Sequence, residues 1–186
     1  LSVEILINQN PAGDQTNPAA AAAPDGRFVV VWEGPDEQGS RGIFGSLRAP
    51  DGTPIVPEFP VNTTLAGLQE RPAAAMRASG DILVVWQSEV ELDGQISKEI
   101  LARIFPFGGG PTNEFQVNRL TIGDQEQPAA AADLLTGEWF TVWQGADLQS
   151  AIPSIFHLKL LPDGPPAPGV IELVLNLLLP GNRRHA

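Results

Sequence analysis

The chain has 186 residues, no Cys, 22 Asp plus Glu against 11 Lys plus Arg, and a formal charge of −11. One core of ordinary size and a single domain are the expectation, and the acidity makes nucleic acid and anionic lipid poor partners. Without Cys there is no disulfide framework and no thiolate metal site.

The 19 Gly and 18 Pro, about a fifth of the chain, favour short elements joined by tight turns over long helices. Leu1 in place of Met is what processing or trimming would leave. The longest apolar run, Leu173 to Leu179, is broken by Asn176 and is too short to span a bilayer.

In chain order, the segment EILINQNPAGDQTNPAAAAAPDGRFVVVW returns as EFPVNTTLAGLQERPAAAMRASGDILVVW and then as EFQVNRLTIGDQEQPAAAADLLTGEWFTVW. Asn8, Asn62 and Asn118 keep one register, as do Gln15/Pro18, Gln69/Pro72 and Gln125/Pro128, and then Trp32, Trp86 and Trp143, spaced 54 to 57 residues apart. The expected organisation is a single repeat domain over 1–186, with repeats at about 4–55, 58–110 and 114–164 and a partial fourth at 170–179.

Each repeat reads as four strands. The first is Glu-apolar-x-apolar-Asn, as at Glu58, Phe59, Val61 and Asn62, whose alternation suits a half-buried strand. The second is the Ala run after Pro, at 19–23, 73–75 and 129–132. Ala is the best helix former, but each run is too short to stand as a helix and meets a turn at once. A strand of small residues instead lets a neighbouring backbone come close. The third strand is an apolar run ending in Trp, expected to be buried on both faces, and joined to the second through Asp25-Gly26, Ser79-Gly80 or Thr136-Gly137. The fourth covers 43–47, 100–104 and 155–160.

The expected fold is therefore all-β, built of tandem four-stranded antiparallel repeats, β-propeller-like, with three repeats plus one extra strand. Three repeats would leave open edges. Closure by a longer array, by a second copy, or by a three-fold barrel or prism are the alternatives.

The ordered motifs apolar-x-Val-Asn, Gln-x-x-Pro-Ala-x-Ala, Asp-Gly-x-Phe-Val-Val-Val-Trp and Gly-Ile-Phe-Gly with a following Asp-Gly-Thr-Pro resemble tandem β-repeats of large secreted bacterial surface proteins, often beside RTX-type calcium-binding regions. The resemblance covers residues 4 to about 164. It implies an extracellular or cell-surface bacterial module for adhesion or assembly and carries no chemistry. The calcium nonapeptide Gly-Gly-x-Gly-x-Asp is absent, and the third repeat lacks the Asp-Gly hairpin and the Gly-Ile-Phe-Gly segment.

Glu33, Gln87 and Gln144 follow the three strand-ending Trp residues and could surround a common axis as a ligand-binding set, or simply cap buried strand ends. Asp36, Glu37, Glu89, Glu91 and Asp93 make the following loops acidic, giving weak candidate ligands for Ca²⁺, the one cofactor considered, or plain solvated turns. The Trp residues suit core packing better than sugar stacking.

No nucleophile elbow, phosphate loop or His pair at metal spacing occurs, so no catalytic residue is assigned. The leading expectation is a non-catalytic surface module presenting loops to a protein or glycan partner. The rivals are a subunit that self-associates through 170–179 and a propeller-type glycoside-active enzyme using two loop carboxylates.

Overall fold

The structure, a computed structural model, describes residues 4–92, 94–146, 153–161 and 173–174. It is all-β. Three four-stranded antiparallel sheets follow one another along the chain. The first holds β1 (Thr16–Ala22), β2 (Phe28–Pro35), β3 (Arg41–Arg48) and β4 (Pro54–Pro60) in that order. The second repeats it with β5 (Gln69–Met76), β6 (Ile82–Leu92), β7 (Gln95–Phe105) and β8 (Phe115–Gln116), and the third with β9 (Gln125–Ala132), β10 (Trp139–Ala146), β11 (Pro153–Leu160) and β12 (Leu173–Val174).

The hairpins fall at the expected turns. Ala23 and Gly26 close the first, Arg77 and Gly80 the second, Asp133 and Gly137 the third, each with its glycine at positive φ. The Ala runs are strands, and they are the innermost ones: β5 lies between β1 and β9. Small side chains allow that approach, with Ala74 packing toward the first sheet and Ala75 toward the third.

The frame of the repeat differs from the sequence reading. The Glu-apolar-x-apolar-Asn segment does not open its own sheet but closes the preceding one, as β4 and β8 do. Hydrogen bonding decides this. Val61 N–H donates to the Ile43 carbonyl and Ile43 N–H to Asn62 Oδ1, and the pair recurs as Val117 with Ile100 and Ile100 with Asn118. The segment starting at Glu172 accordingly supplies β12, the last strand of the third sheet, and not the first strand of a fourth repeat. The rest of the 170–179 stretch, apart from 173–174, lies outside the described residues.

Two apolar cores hold the sheets face to face. One joins Val29, Val31, Ile43 and Leu47 of the first sheet to Ile82, Val84 and Trp86 of the second. The other joins Leu83, Val85, Ile100 and Ile104 of the second to Trp139, Trp143, Phe156 and Leu160 of the third. Strand β6 is thus buried on both faces, as expected for an unbroken apolar run, whereas β10 alternates buried and half-buried residues and β2 is half-buried at Phe28 and Val30.

The repeat signature supplies the polar fastenings. Each Trp indole N–H donates to the Gln of Gln-x-x-Pro: Trp32 to Gln15 at 2.8 Å, Trp86 to Gln69 at 2.8 Å and Trp143 to Gln125 at 3.0 Å. The Glu of the outer-strand motif accepts backbone N–H groups from the loop one repeat earlier, Glu58 from Gln9 and Asn10, Glu114 from Thr63 and Thr64. These bonds satisfy loop amides and tie consecutive repeats together.

Candidate functional site

Strands β1, β5 and β9 each carry a bulge at the same place, between Thr16 and Ala19, Glu70 and Ala73, and Glu126 and Ala129. At each bulge a residue other than glycine adopts left-handed φ: Asn17 at 49°, Arg71 at 52° and Gln127 at 55°. Asn tolerates this conformation, whereas Arg and Gln adopt it at a cost. The three residues and the prolines that follow them, Pro18, Pro72 and Pro128, line one shallow depression of about 270 Å³.

Glu33 is 0% exposed and lies beneath that surface. Its carboxylate accepts Asn17 Nδ2 at 2.7 Å, Thr16 Oγ1 at 3.2 Å, Arg41 Nη1 at 2.7 Å and, across to the second sheet, the Arg71 backbone N–H at 2.6 Å. The last bond uses the left-handed turn at Arg71, which aims that amide at the neighbouring sheet. Burial works against the charged carboxylate, but these donors outweigh it and hold its pKa below the ordinary value.

Of the three residues expected around an axis, Glu33 and Gln87 are buried below the depression and Gln144 is half-buried opposite Glu126. Gln87 Nε2 donates to Glu70 at 3.3 Å, while its Oε1 is buried without a partner. The surface itself is formed by the residue before each proline, which the sequence reading did not single out. The signal was present as the x before Pro in Gln-x-x-Pro, but its backbone conformation was not.

Asp36 serves its own turn, accepting the Gln38 and Ser40 amides, and Glu89 accepts the Leu68 amide at 3.2 Å. Glu37 and Glu91 are exposed, and Asp93 lies outside the described residues. No cluster of three His, Cys, Asp or Glu able to hold a metal occurs among the described residues.

Glu99 is the second buried carboxylate, 1% exposed. It receives hydrogen bonds from Ser97, Gln116 and Asn118 but has no ion-pair partner among the described residues, and burial, aided by Asp124, raises its pKa above the ordinary value. The unfolded chain therefore releases this proton first, so the folded state loses stability as pH rises from about 4.5 toward the raised value. Glu99→Gln should raise the melting temperature at pH 7 by on the order of a few degrees. The gain should shrink at pH 4, as thermal melts at the two pH values will show.

A second cavity, about 750 Å³ and mostly apolar, runs between the first two sheets past Val56, Phe59, Phe105 and Phe107. Arg27 stacks on Phe107 at 4.1 Å at its rim. Neither cavity has a carboxylate in its lining.

No family model and no curated protein matches the chain. Among solved structures it is similar to the crystal structure of a protein of unknown function from Dyadobacter fermentans, with a TM-score of 0.56 and 14% identity over 83% of this chain and 53% of that one. The likeness is one of fold. The chain spans about half the length of that structure.

Proposed function

We propose that the chain is a non-catalytic interaction module of a secreted or surface-displayed bacterial protein, with its sheets set about an axis like propeller blades and its binding face where β1, β5 and β9 converge. The observation that carries this reading is the depression lined by Asn17, Arg71 and Gln127, three matched positions in left-handed backbone, costly at Arg71 and Gln127. Structural reasons account for Arg71's amide, which Glu33 uses. They leave the exposed side chains of Arg71 and Gln127 free, while Asn17 gives its Nδ2 to Glu33.

The partner this surface suits is an acidic glycan. Arg71 is exposed and forms no ion pair among the described residues, and it stands between two carboxamides that can bond to sugar hydroxyls. A guanidinium flanked by amides matches a uronate-type carboxylate. The adhesive role implied by the family resemblance fits the same reading.

The test is binding of the chain to immobilised oligosaccharides with and without uronic acids, alongside acidic peptides. Arg71→Ala should abolish binding to the acidic sugars while leaving the melting temperature within about 2 °C, since only an exposed side chain is lost. Retention by acidic peptides alone would make the partner a protein. Unchanged binding by Arg71→Ala would remove this face from consideration.

A further inference from the structure

The apolar groove between the first two sheets is a space that the next junction fills with a side chain of its own. Ile82 opens β6 between Met76 and Phe105, and Trp139 opens β10 at the matching place, between Ala132 and Leu160. Trp139 is 0% exposed in the core joining the second and third sheets, with the Arg77 guanidinium 3.8 Å from its ring centre. Ile82 packs into the first core but lacks the reach of an indole, and the cavity of about 750 Å³ opens past it. The aromatic rings of this junction, Phe59, Phe105 and Phe107, stand on its walls.

Those walls are held in place by contacts of their own. Phe59 and Phe105 meet with ring centres 5.2 Å apart. Phe107 is fixed from two sides, its N–H donating to Asp81 Oδ1 at 2.9 Å and the Arg27 guanidinium lying 4.1 Å from its ring centre. The turn that carries it is closed by Gly109 N–H on the Pro106 carbonyl and by Thr112 N–H on the Ile104 carbonyl. A preformed, mostly apolar cleft of this size falls within the range of about 300–1,000 Å³ typical of small-molecule sites.

Arg103 is the one charged residue in the lining among the described residues. Its Nε donates to the Thr112 carbonyl at 2.9 Å and its Nη1 to the Val61 carbonyl at 2.8 Å, which fixes the planar guanidinium. Nη2 makes no hydrogen bond, and the group forms no ion pair, among the described residues. A half-buried guanidinium set among apolar groups selects a ligand that carries one anionic group on an apolar body, because a carboxylate matches its donors and the walls offer nothing else polar to a larger head. A peptide added as a further strand is disfavoured, since the bordering edge strand β4 carries Pro54, Pro57 and Pro60.

We propose that the groove binds a small aromatic carboxylate, its ring taking among Phe59, Phe105 and Phe107 the place that the Trp139 indole takes at the next junction, and its carboxylate resting on Arg103 Nη2. The groove shares no lining residue with the depression at the bulges, so this site stands or falls apart from the glycan reading.

Titration of the ¹⁵N-labelled full chain with naphthoate tests the assignment. Amide shifts should gather at residues 54–60 and 103–111, and naphthalenemethanol, an uncharged relative with the same ring system, should bind about tenfold more weakly, the share of a charge-assisted hydrogen bond. Arg103→Met should remove that preference, weakening naphthoate about tenfold and leaving the alcohol as it was. Because Arg103 also holds two carbonyls, Val56→Glu supplies a second arm: Val56 is 41% exposed, and a carboxylate set there should weaken naphthoate about tenfold with an unchanged melting temperature. No shifts at millimolar naphthoate, shifts outside the groove, equal affinity for acid and alcohol, or a response to dodecanoate alone would each overturn the proposal.

Discussion

Replacing Glu33 by Ala should destabilise the protein by about 3–5 kcal/mol, the range for breaking one side of a buried charge pair. The substitution leaves the Arg71 amide, Asn17 Nδ2, Thr16 Oγ1 and Arg41 Nη1 without their acceptor. Arg41→Ala should cost much less, because its side chain is 41% exposed and water can replace the contact. Glu33→Gln should fall between the two, because the carboxamide keeps one acceptor oxygen but sets an NH₂ group among the Asn17, Arg41 and Arg71 donors.

The pH dependence of this effect has a definite sign. Glu33 has a lowered folded pKa, so its contribution is fully present above its ordinary value of 4.5 and is lost as pH falls through the lowered one. Glu99 works in the opposite direction. Chemical denaturation of wild type and Glu33→Ala at pH 7 and pH 3 should therefore show the gap narrowing in acid, and a gap independent of pH would show that the carboxylate is not held as charged.

Trp86→Ala should cost a further large amount, about 3–5 kcal/mol, as for other buried aromatic residues cut to Ala. Trp86 is 0% exposed at the core shared by the first two sheets, and its loss also strands Gln69 Oε1 in a fully buried side chain. Trp86→Phe isolates the hydrogen bond and should cost about 1–3 kcal/mol. Against a typical total stability of about 5–15 kcal/mol, the Ala variant should be close to unfolded at 37 °C, which urea titration will measure. A loss below about 1 kcal/mol would place the indole outside the core.

The repeat length, the hairpin turns and the burial of the Trp residues were legible because each depends on local pattern. Val29 to Trp32 reads as a buried strand wherever its sheet lies. The frame was not legible. Whether the strand holding Phe59 and Val61 opens one sheet or closes another depends on which amide Asn62 accepts, a contact set by tertiary pairing.

The depression at the bulges was hidden for a different reason. A residue before proline is expected to be extended, so nothing in the sequence marks Asn17, Arg71 and Gln127 as left-handed. Their left-handed φ accompanies the bulge in all three strands, and at Arg71 it turns the amide to a carboxylate in another sheet. Glu33, chosen from sequence as a possible ligand contact, is buried and holds the Arg71 backbone beneath the depression.

The most direct measurement is a titration of the ¹⁵N-labelled chain with a uronate oligosaccharide, followed by amide chemical shifts. Shifts concentrated at residues 16–18, 70–72 and 126–128, and absent in Arg71→Ala, are the predicted result. Shifts confined to the apolar groove around Val56, Phe105 and Phe107, or no shifts at saturating sugar, would contradict the assignment of the binding face.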